Sequence, residues 1–401
     1  MEVNKMRHTR ALYGEAEVRK MAESFDANDL LKRNAYQNKP LAFDQAYLAG
    51  IFVLYPYRMD LEGVFSQDKA LAEKQGIALL CALHNQATYL KAGAAEQIAG
   101  ICAAIFDYDI ARSEQGFLTA NVQFAMDNCG MGGDLYRTPN VSTIAALVAA
   151  ADGIPMCKHG SPGNTDATGS SDFLKYCGVN LFAPKGAIAA ALEKIGFGYT
   201  DALDTRYKSV HVQTHGSAHL AHMNDIIGPV TNPFDPRLMT MRVLGANHLI
   251  PPEVVANAYN LLNQYNVTNL RHGLFVRGFV AEARNGGIDE VSVFPGGTHV
   301  AELDDGQIKS YDLYPADFGI RAAEYFEVPS GTQGKAKFSQ DILNGTIDGP
   351  PRQLVAANAA VLEYLARGMP FDQGFKAAEE LIESHRPASL LQEYALMSRV
   401  I

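Results

Sequence analysis

Apolar residues recur at helical spacing through residues 72–90 and 94–106, within a stretch from about 46 to 125 that is rich in Ala, Leu, Ile and Gln. The pattern predicts a small helical domain over 46–125, with part of 183–225 available to complete it. Ahead of it, residues 1–45 are polar and weakly patterned, with charges at Glu15, Glu17, Arg19 and Lys20. This N-terminal extension reads either as a helical arm or as a partly mobile segment. After residue 125 the period changes. An Ala/Val/Leu helix is expected over 142–151, a short buried strand over 153–157, a polar loop over 158–172 and a helix over 183–195. Asn-Pro-Phe-Asp-Pro at 232–236 breaks the chain. Strands are expected over 273–280, 290–294 and 298–303, and helices over 353–367 and 371–384. This alternation predicts an α/β domain over 126–401 with a mainly parallel central sheet.

Composition narrows the classes of function. The chain has 401 residues, is 47% hydrophobic and 19% charged, and carries a net charge of −10, from 34 basic against 44 acidic residues. A nucleic-acid surface needs a dense basic stripe, so no nucleic-acid partner is expected. The five cysteines, Cys81, Cys102, Cys129, Cys157 and Cys177, show no CxxC spacing and suggest neither a disulfide framework nor a thiolate zinc site. No run of about 18 apolar residues occurs, and the N-terminus lacks an apolar signal core, so a cytoplasmic protein without membrane association is expected.

The candidate chemistry is concentrated in Cys129-Gly130-Met131-Gly132-Gly133-Asp134 and the following Thr138-Pro139-Asn140-Val141-Ser142-Thr143. Gly130, Gly132 and Gly133 let backbone approach a ligand and expose amides that can wrap a phosphate. Asn140, Ser142 and Thr143 stand where a helix begins, a second place for a phosphate. A tight strand-to-helix turn is the simpler reading of the same residues. Asp134 is a poor phosphate ligand and suits a sugar hydroxyl, a metal or an attacking amine. Lys158 ends the expected strand and can pair with a phosphate as a point charge. Asp289-Glu290 is an adjacent acidic pair, either solvated or, beside a polyphosphate, a natural Mg²⁺ ligand set. His211, His215, His219 and His222 share one face if their segment is helical. They read as a polar helix, as the wall of a pocket or as metal ligands.

These motifs, in this order, resemble the signature of the anthranilate phosphoribosyltransferase family, within the class II nucleoside phosphorylase and phosphoribosyltransferase fold. Gly130-Met131-Gly132-Gly133-Asp134 is similar to its GTGGD loop, 138–143 to its T-x-N-x-S-T turn and Lys158-His159-Gly160 to its KHG. Gly169-Ser170-Ser171-Asp172 is similar to its GSAD, 228–233 to its GPLTNP, Asp289-Glu290 to its metal-binding DE, and 305–319 to its DG…PEDFG. The resemblance covers roughly residues 75–400. It implies transfer of a phosphoribosyl group from phosphoribosyl pyrophosphate to an aromatic amine, anthranilate or a relative, in a homodimer. Gly130, Gly132, Gly133, Asp134, Thr138, Asn140, Ser142, Thr143, Lys158, Thr165 and Asp166 would bind the donor. Ser142, Asp289 and Glu290 would hold Mg²⁺. His159, Ser161, Arg206, Lys208, His211 and His215 would meet an aromatic or heterocyclic acceptor.

The departures concern mainly the acceptor. Met131 replaces the family's Thr, Ser161 its Asn, and Thr165-Asp166 its paired Ser. Where the family has an arginine for the anthranilate carboxylate, residues 211–222 contain histidines and no arginine. Two rival readings therefore stand: a relative acting on another amine or nitrogen heterocycle, including a phosphorylase, and a non-catalytic binding protein that kept the fold.

Overall fold

The computed structural model describes residues 11–163, 168–211 and 224–399 and divides into two compact units. The helical unit comprises residues 1–117, 203–237 and 249–269; the α/β unit comprises 118–202, 238–248 and 270–401. The boundary thus falls at 117/118 where the sequence pattern placed it at 125/126, and the chain returns to the helical unit twice.

In the helical unit the polar N-terminal stretch carries two short helices. Helices Glu15–Ala22 and Ala27–Leu31 bury Val18, Ala22, Ala27 and Leu30, and Asp26 caps the second by accepting from the amides of Asn28 and Asn28's neighbour Asp29. Helix Phe43–Leu54 is almost wholly buried and packs against Ala94–Ala104. Their approach depends on Gly100, where a Cβ would stand 2.3 Å from the Phe43 carbonyl. The single helix expected over 72–90 is two, Lys69–Leu83 and Gln86–Tyr89, because the Asn85 side chain accepts from the Ala87 amide and starts a new helix. The returning segment is tied down by buried Asp109, which accepts from the amides of Ser209 and Val210 and from the Ser209 hydroxyl.

The α/β unit holds one seven-stranded sheet: β1 Ala125–Gly130, β2 Met156–Gly160, β3 Phe197–Asp201, β4 Met239–Gly245, β5 His272–Gly278, β6 Thr298–Asp304 and β7 Gln307–Leu313. Their order is β3-β2-β1-β4-β5-β6-β7. β1 to β5 are parallel, and β6 and β7 join antiparallel at one edge. From β1 the chain proceeds outward to β2 and β3, then returns to the other side of β1 as β4. That reversal makes the carboxyl ends of β1 and β4 the switch point where such sheets bind ligands. Helices Val141–Ala151 and Pro350–Arg367 supply much of the core, with Ile144, Leu147, Val355, Val361 and Leu362 fully buried.

Three expectations about strands change. The strand expected over 153–157 is β2, 156–160: Gly153 turns out of the helix with φ +89° and Pro155 has no amide to donate, so pairing begins at Met156. Lys158 and His159 therefore lie inside a buried strand and not in the expected loop. Residues 290–294 are buried but form no strand; the amide and carbonyl of Val291 pair with the Asn358 side chain, and the Ser292 amide with the Thr298 hydroxyl. β1 was expected only as the strand side of a tight strand-to-helix turn, and β3, β4 and β7 and the helices Pro252–Gln264, Thr332–Leu343 and Arg386–Met397 had no counterpart in the pattern. Among the described residues, no helix is long and apolar enough to cross a membrane.

Candidate active site

Asp289 sits against the carboxyl ends of β1 and β4. A Cβ on Gly130 would lie 2.0 Å from its carboxylate, and one on Gly245 would lie 1.5 Å from its carbonyl, so both positions must be glycine for this approach. The glycine loop then folds over that carboxylate. Gly132 and Gly133 adopt φ +74° and +78°, and the Gly132 amide donates to Asp289 Oδ2 at 2.6 Å. The loop returns Asp134, whose Oδ1 accepts from the Asp289 amide at 2.9 Å. Buried Thr138 donates to Glu290 Oε1 at 3.4 Å.

Ligand oxygens of Asp134, Asp289 and Glu290 all lie within 4.8 Å of one another. Glu290 is 8% exposed and its Oε2 is buried without a hydrogen-bond partner. Burial, then the charges of Asp289 and Glu290, raise the Asp134 carboxyl well above its usual range. Burial and then Asp289 raise Glu290 likewise. Three hard oxygen donors crowded at such cost, one with an orphaned oxygen, fit a divalent ion such as Mg²⁺. The resemblance gave Ser142, Asp289 and Glu290 this role; the geometry brings Asp134, for which a metal was one of three readings, beside the two acids.

The turn at 138–143 works differently from a simple helix cap. Asn140 precedes helix Val141–Ala151 but makes no side-chain cap. Its amide group donates to the carbonyls of Thr168 (2.9 Å) and Gly169 (3.1 Å), and it exchanges two hydrogen bonds with Ser339. Thr143 donates to Ser170. Lys158 is fully buried; its ammonium donates to the Asn128 carbonyl at 2.7 Å and to the Ser142 hydroxyl at 3.2 Å. It thus fastens the helix start to β1, and the Ser142 oxygen keeps a lone pair for a ligand. Asp172 closes the following loop by accepting from the amides of Gly163 and Gly169.

The acceptor candidates divide between the two units. His159 is buried in β2 with Nδ1 3.1 Å from the Thr200 carbonyl, and Ser161 lies just beyond it. Arg206 is paired with Asp204 through two guanidinium nitrogens. Lys208 is buried, with its ammonium on the Thr231 carbonyl (2.8 Å), the Thr231 hydroxyl (3.1 Å) and the Gly228 carbonyl (3.3 Å). These bonds place the Lys208 ammonium at the end of the 228–231 segment, where the sequence expected it to meet the acceptor. His211 is buried in the helical unit. Thr165, Asp166, His215, His219 and His222 lie outside the described residues.

A family model described as glycosyl transferase family, a/b domain, matches residues 122–386. The anthranilate phosphoribosyltransferase of Clostridium kluyveri is 32% identical over 276 residues, 68% of this chain and 77% of the relative. That of Nitrosospira multiformis is 35% identical over 67% and 74%. The chain belongs to the anthranilate phosphoribosyltransferase family. As a member it is a glycosyltransferase of the pentosyl-transferring type. The crystal structure of the Thermus thermophilus enzyme superposes with a TM-score of 0.69 at 26% identity, covering 93% of this chain and all of that one. The Saccharomyces cerevisiae enzyme, solved in complex with PRPP and Mg, shares the fold with a TM-score of 0.67 at 22% identity, covering 89% of this chain and 93% of that one.

Proposed function

We propose that this chain transfers the 5-phosphoribosyl group of phosphoribosyl pyrophosphate to the nitrogen of an aromatic acceptor and releases pyrophosphate. The observation that carries the reading is the convergence of Asp134, Asp289 and Glu290 under a glycine loop at the switch point of the sheet. In the displacement, the bond from the anomeric carbon to pyrophosphate breaks, the acceptor nitrogen forms the new bond, and that nitrogen releases its proton. Negative charge grows on the leaving group while the sugar gains oxocarbenium character. Asp134, Asp289, Glu290 and Ser142 would hold Mg²⁺, which would supply charge compensation for the leaving group. The amides of the glycine loop and the positive end of the Val141–Ala151 helix hold phosphate, with Asn140 and Thr143 bracing the loop around 168–170. Lys158 keeps Ser142 in place, and Thr138 orients Glu290. Thr165 and Asp166 remain candidates for the pyrophosphate end. No protein nucleophile is needed.

The name of the relatives makes anthranilate the first acceptor to assay. A buried carboxylate calls for a charge-assisted partner, and both cations nearest in sequence, Arg206 and Lys208, are engaged within the helical unit. That favours an uncharged aromatic amine or nitrogen heterocycle as the better acceptor. Pyrophosphate release from the donor and Mg²⁺ across anthranilate, neutral anilines and nitrogen heterocycles is the test. Absence of pyrophosphate release with every aromatic nitrogen acceptor, together with cleavage of a nucleoside by phosphate, would move the chain to the phosphorylase reading. We further infer a cytoplasmic homodimer from the family resemblance, which sedimentation of the purified chain measures.

A further inference from the structure

An asparagine placed before a helix ordinarily turns its side-chain oxygen onto the amides two or three residues on, and so fills the place where an anion would bind. Asn140 precedes helix Val141–Ala151 and does not do this. Its Oδ1 accepts from the Ser339 hydroxyl at 3.0 Å, and its backbone amide donates to the same hydroxyl oxygen at 2.9 Å. The side-chain nitrogen then reaches the carbonyls of Thr168 and Gly169. Ser339 is fully buried in helix Thr332–Leu343, whose Thr332 carbonyl accepts from the Thr168 hydroxyl at 3.0 Å. These bonds close a ring. It runs from Asn140 to Ser339, along the helix to Thr332, across to Thr168 and back to Asn140, all within the α/β unit.

We propose that Ser339 is a positioning residue for the phosphoribosyl pyrophosphate site. It occupies the one oxygen with which Asn140 could cap its own helix. The amides of Ser142 and Thr143 therefore stay open to a phosphate, and the Asn140 side chain stays committed to the loop at 168–169. The inference rests on the donor reading given above. Ser339 touches no donor atom in this account and acts through Asn140. Without its hydroxyl, the Asn140 amide loses its acceptor and Oδ1 loses its donor. The released oxygen can then turn onto the first-turn amides and compete with the phosphate, at the expense of the bonds that hold the loop.

Calorimetric titration of the full-length protein with phosphoribosyl pyrophosphate and Mg²⁺, without acceptor and well below the melting temperature, tests this. Ser339→Ala should weaken donor binding about tenfold. Asn140→Ala should weaken it as well, and Ser339→Ala combined with Asn140→Ala should bind no more weakly than Asn140→Ala alone, because the two residues act as one unit. Should Ser339→Ala not fold, Ser339→Cys carries the same comparison, since a thiol is close in size to a hydroxyl and a weak hydrogen-bonding partner. Donor affinity equal to the parent's, or losses of affinity that simply add in the double variant, overturn the proposal even where Tm falls. A parent protein that binds no phosphoribosyl pyrophosphate overturns the donor reading itself, and the role of Ser339 with it.

Discussion

Asp289 and Glu290 are each 8% exposed, which changes what their replacement should do. Solvated turn carboxylates would leave stability untouched, but these are buried beside Asp134, and the Glu290 charge is opposed by desolvation and then by Asp289. Glu290→Gln should therefore leave the metal-free Tm unchanged or raise it, while lowering turnover by about a hundredfold or more through lost charge compensation. Calorimetry of the metal-free variant and a pyrophosphate-release assay read the two effects; a lower Tm with full turnover would remove Glu290 from the site. Gly130→Ala is the complementary test, since its Cβ would overlap the Asp289 carboxylate. It should still fold, yet lose Mn²⁺ binding together with activity. At this scale the glycines and acids were legible because their identities carry the chemistry. The destinations of Lys158 and Lys208 were not. A lysine's reach reads the same whether its ammonium meets a phosphate or, as here, a buried carbonyl.

The segment carrying Asp289 and Glu290 is held without a strand ladder. Asn358, from the buried Pro350–Arg367 helix, replaces the missing neighbour by bonding both the amide and the carbonyl of Val291. Asn358→Ala should cost about 2–4 kcal/mol, because two buried backbone groups lose their partner, and should also loosen metal binding. Denaturant melts with Mn²⁺ titrations check both. A hydrophobic run such as 290–294 looks like a strand when nothing in the sequence reveals that a distant asparagine will satisfy its backbone. The β6–β7 hairpin, by contrast, had a readable signal. Asp305-Gly306 takes φ +41° and +87°, the two-residue turn that Asp-Gly favours, and the weakly apolar β7 hid it. That antiparallel edge also carries a pH-sensitive element. Burial would raise Glu302, but hydrogen bonds from His272, Tyr311, Tyr364 and Lys309 lower it to about 2. A carboxyl depressed on folding stabilises fully above its unfolded value of 4.5, and that contribution disappears as pH falls toward about 2. The Tm gap between the parent and Glu302→Gln should accordingly be widest above about pH 5 and narrow as acid is added; a constant gap would remove the linkage.

Across the whole chain, the residues proposed to bind the donor, among those the structure describes, belong to the α/β unit, and the departures from the family pattern that bear most on the acceptor fall in residues 211–222 of the sequence. The class of fold was legible because two hydrophobic periods succeed one another along the chain. The first return into the helical unit was anticipated within 183–225, but the second, over 249–269, was not, since a short crossing segment leaves no compositional mark. The net charge of −10 belongs to this scale as well. A polyanionic donor approaches an acidic protein against its mean field, and only local amides, the start of the Val141–Ala151 helix and a bound cation reverse the sign near the site. Screening weakens the long-range repulsion first, because the Debye length falls from about 30 Å at 0.01 M to about 8 Å at 0.15 M salt. With free Mg²⁺ held constant, the association rate of phosphoribosyl pyrophosphate should therefore rise a few-fold over that range in stopped-flow measurements, the reverse of a site that steers anions through a basic patch. A rate that falls steeply with salt would mean that a positive field extends well beyond the glycine loop, and the charge argument for the whole molecule would be wrong.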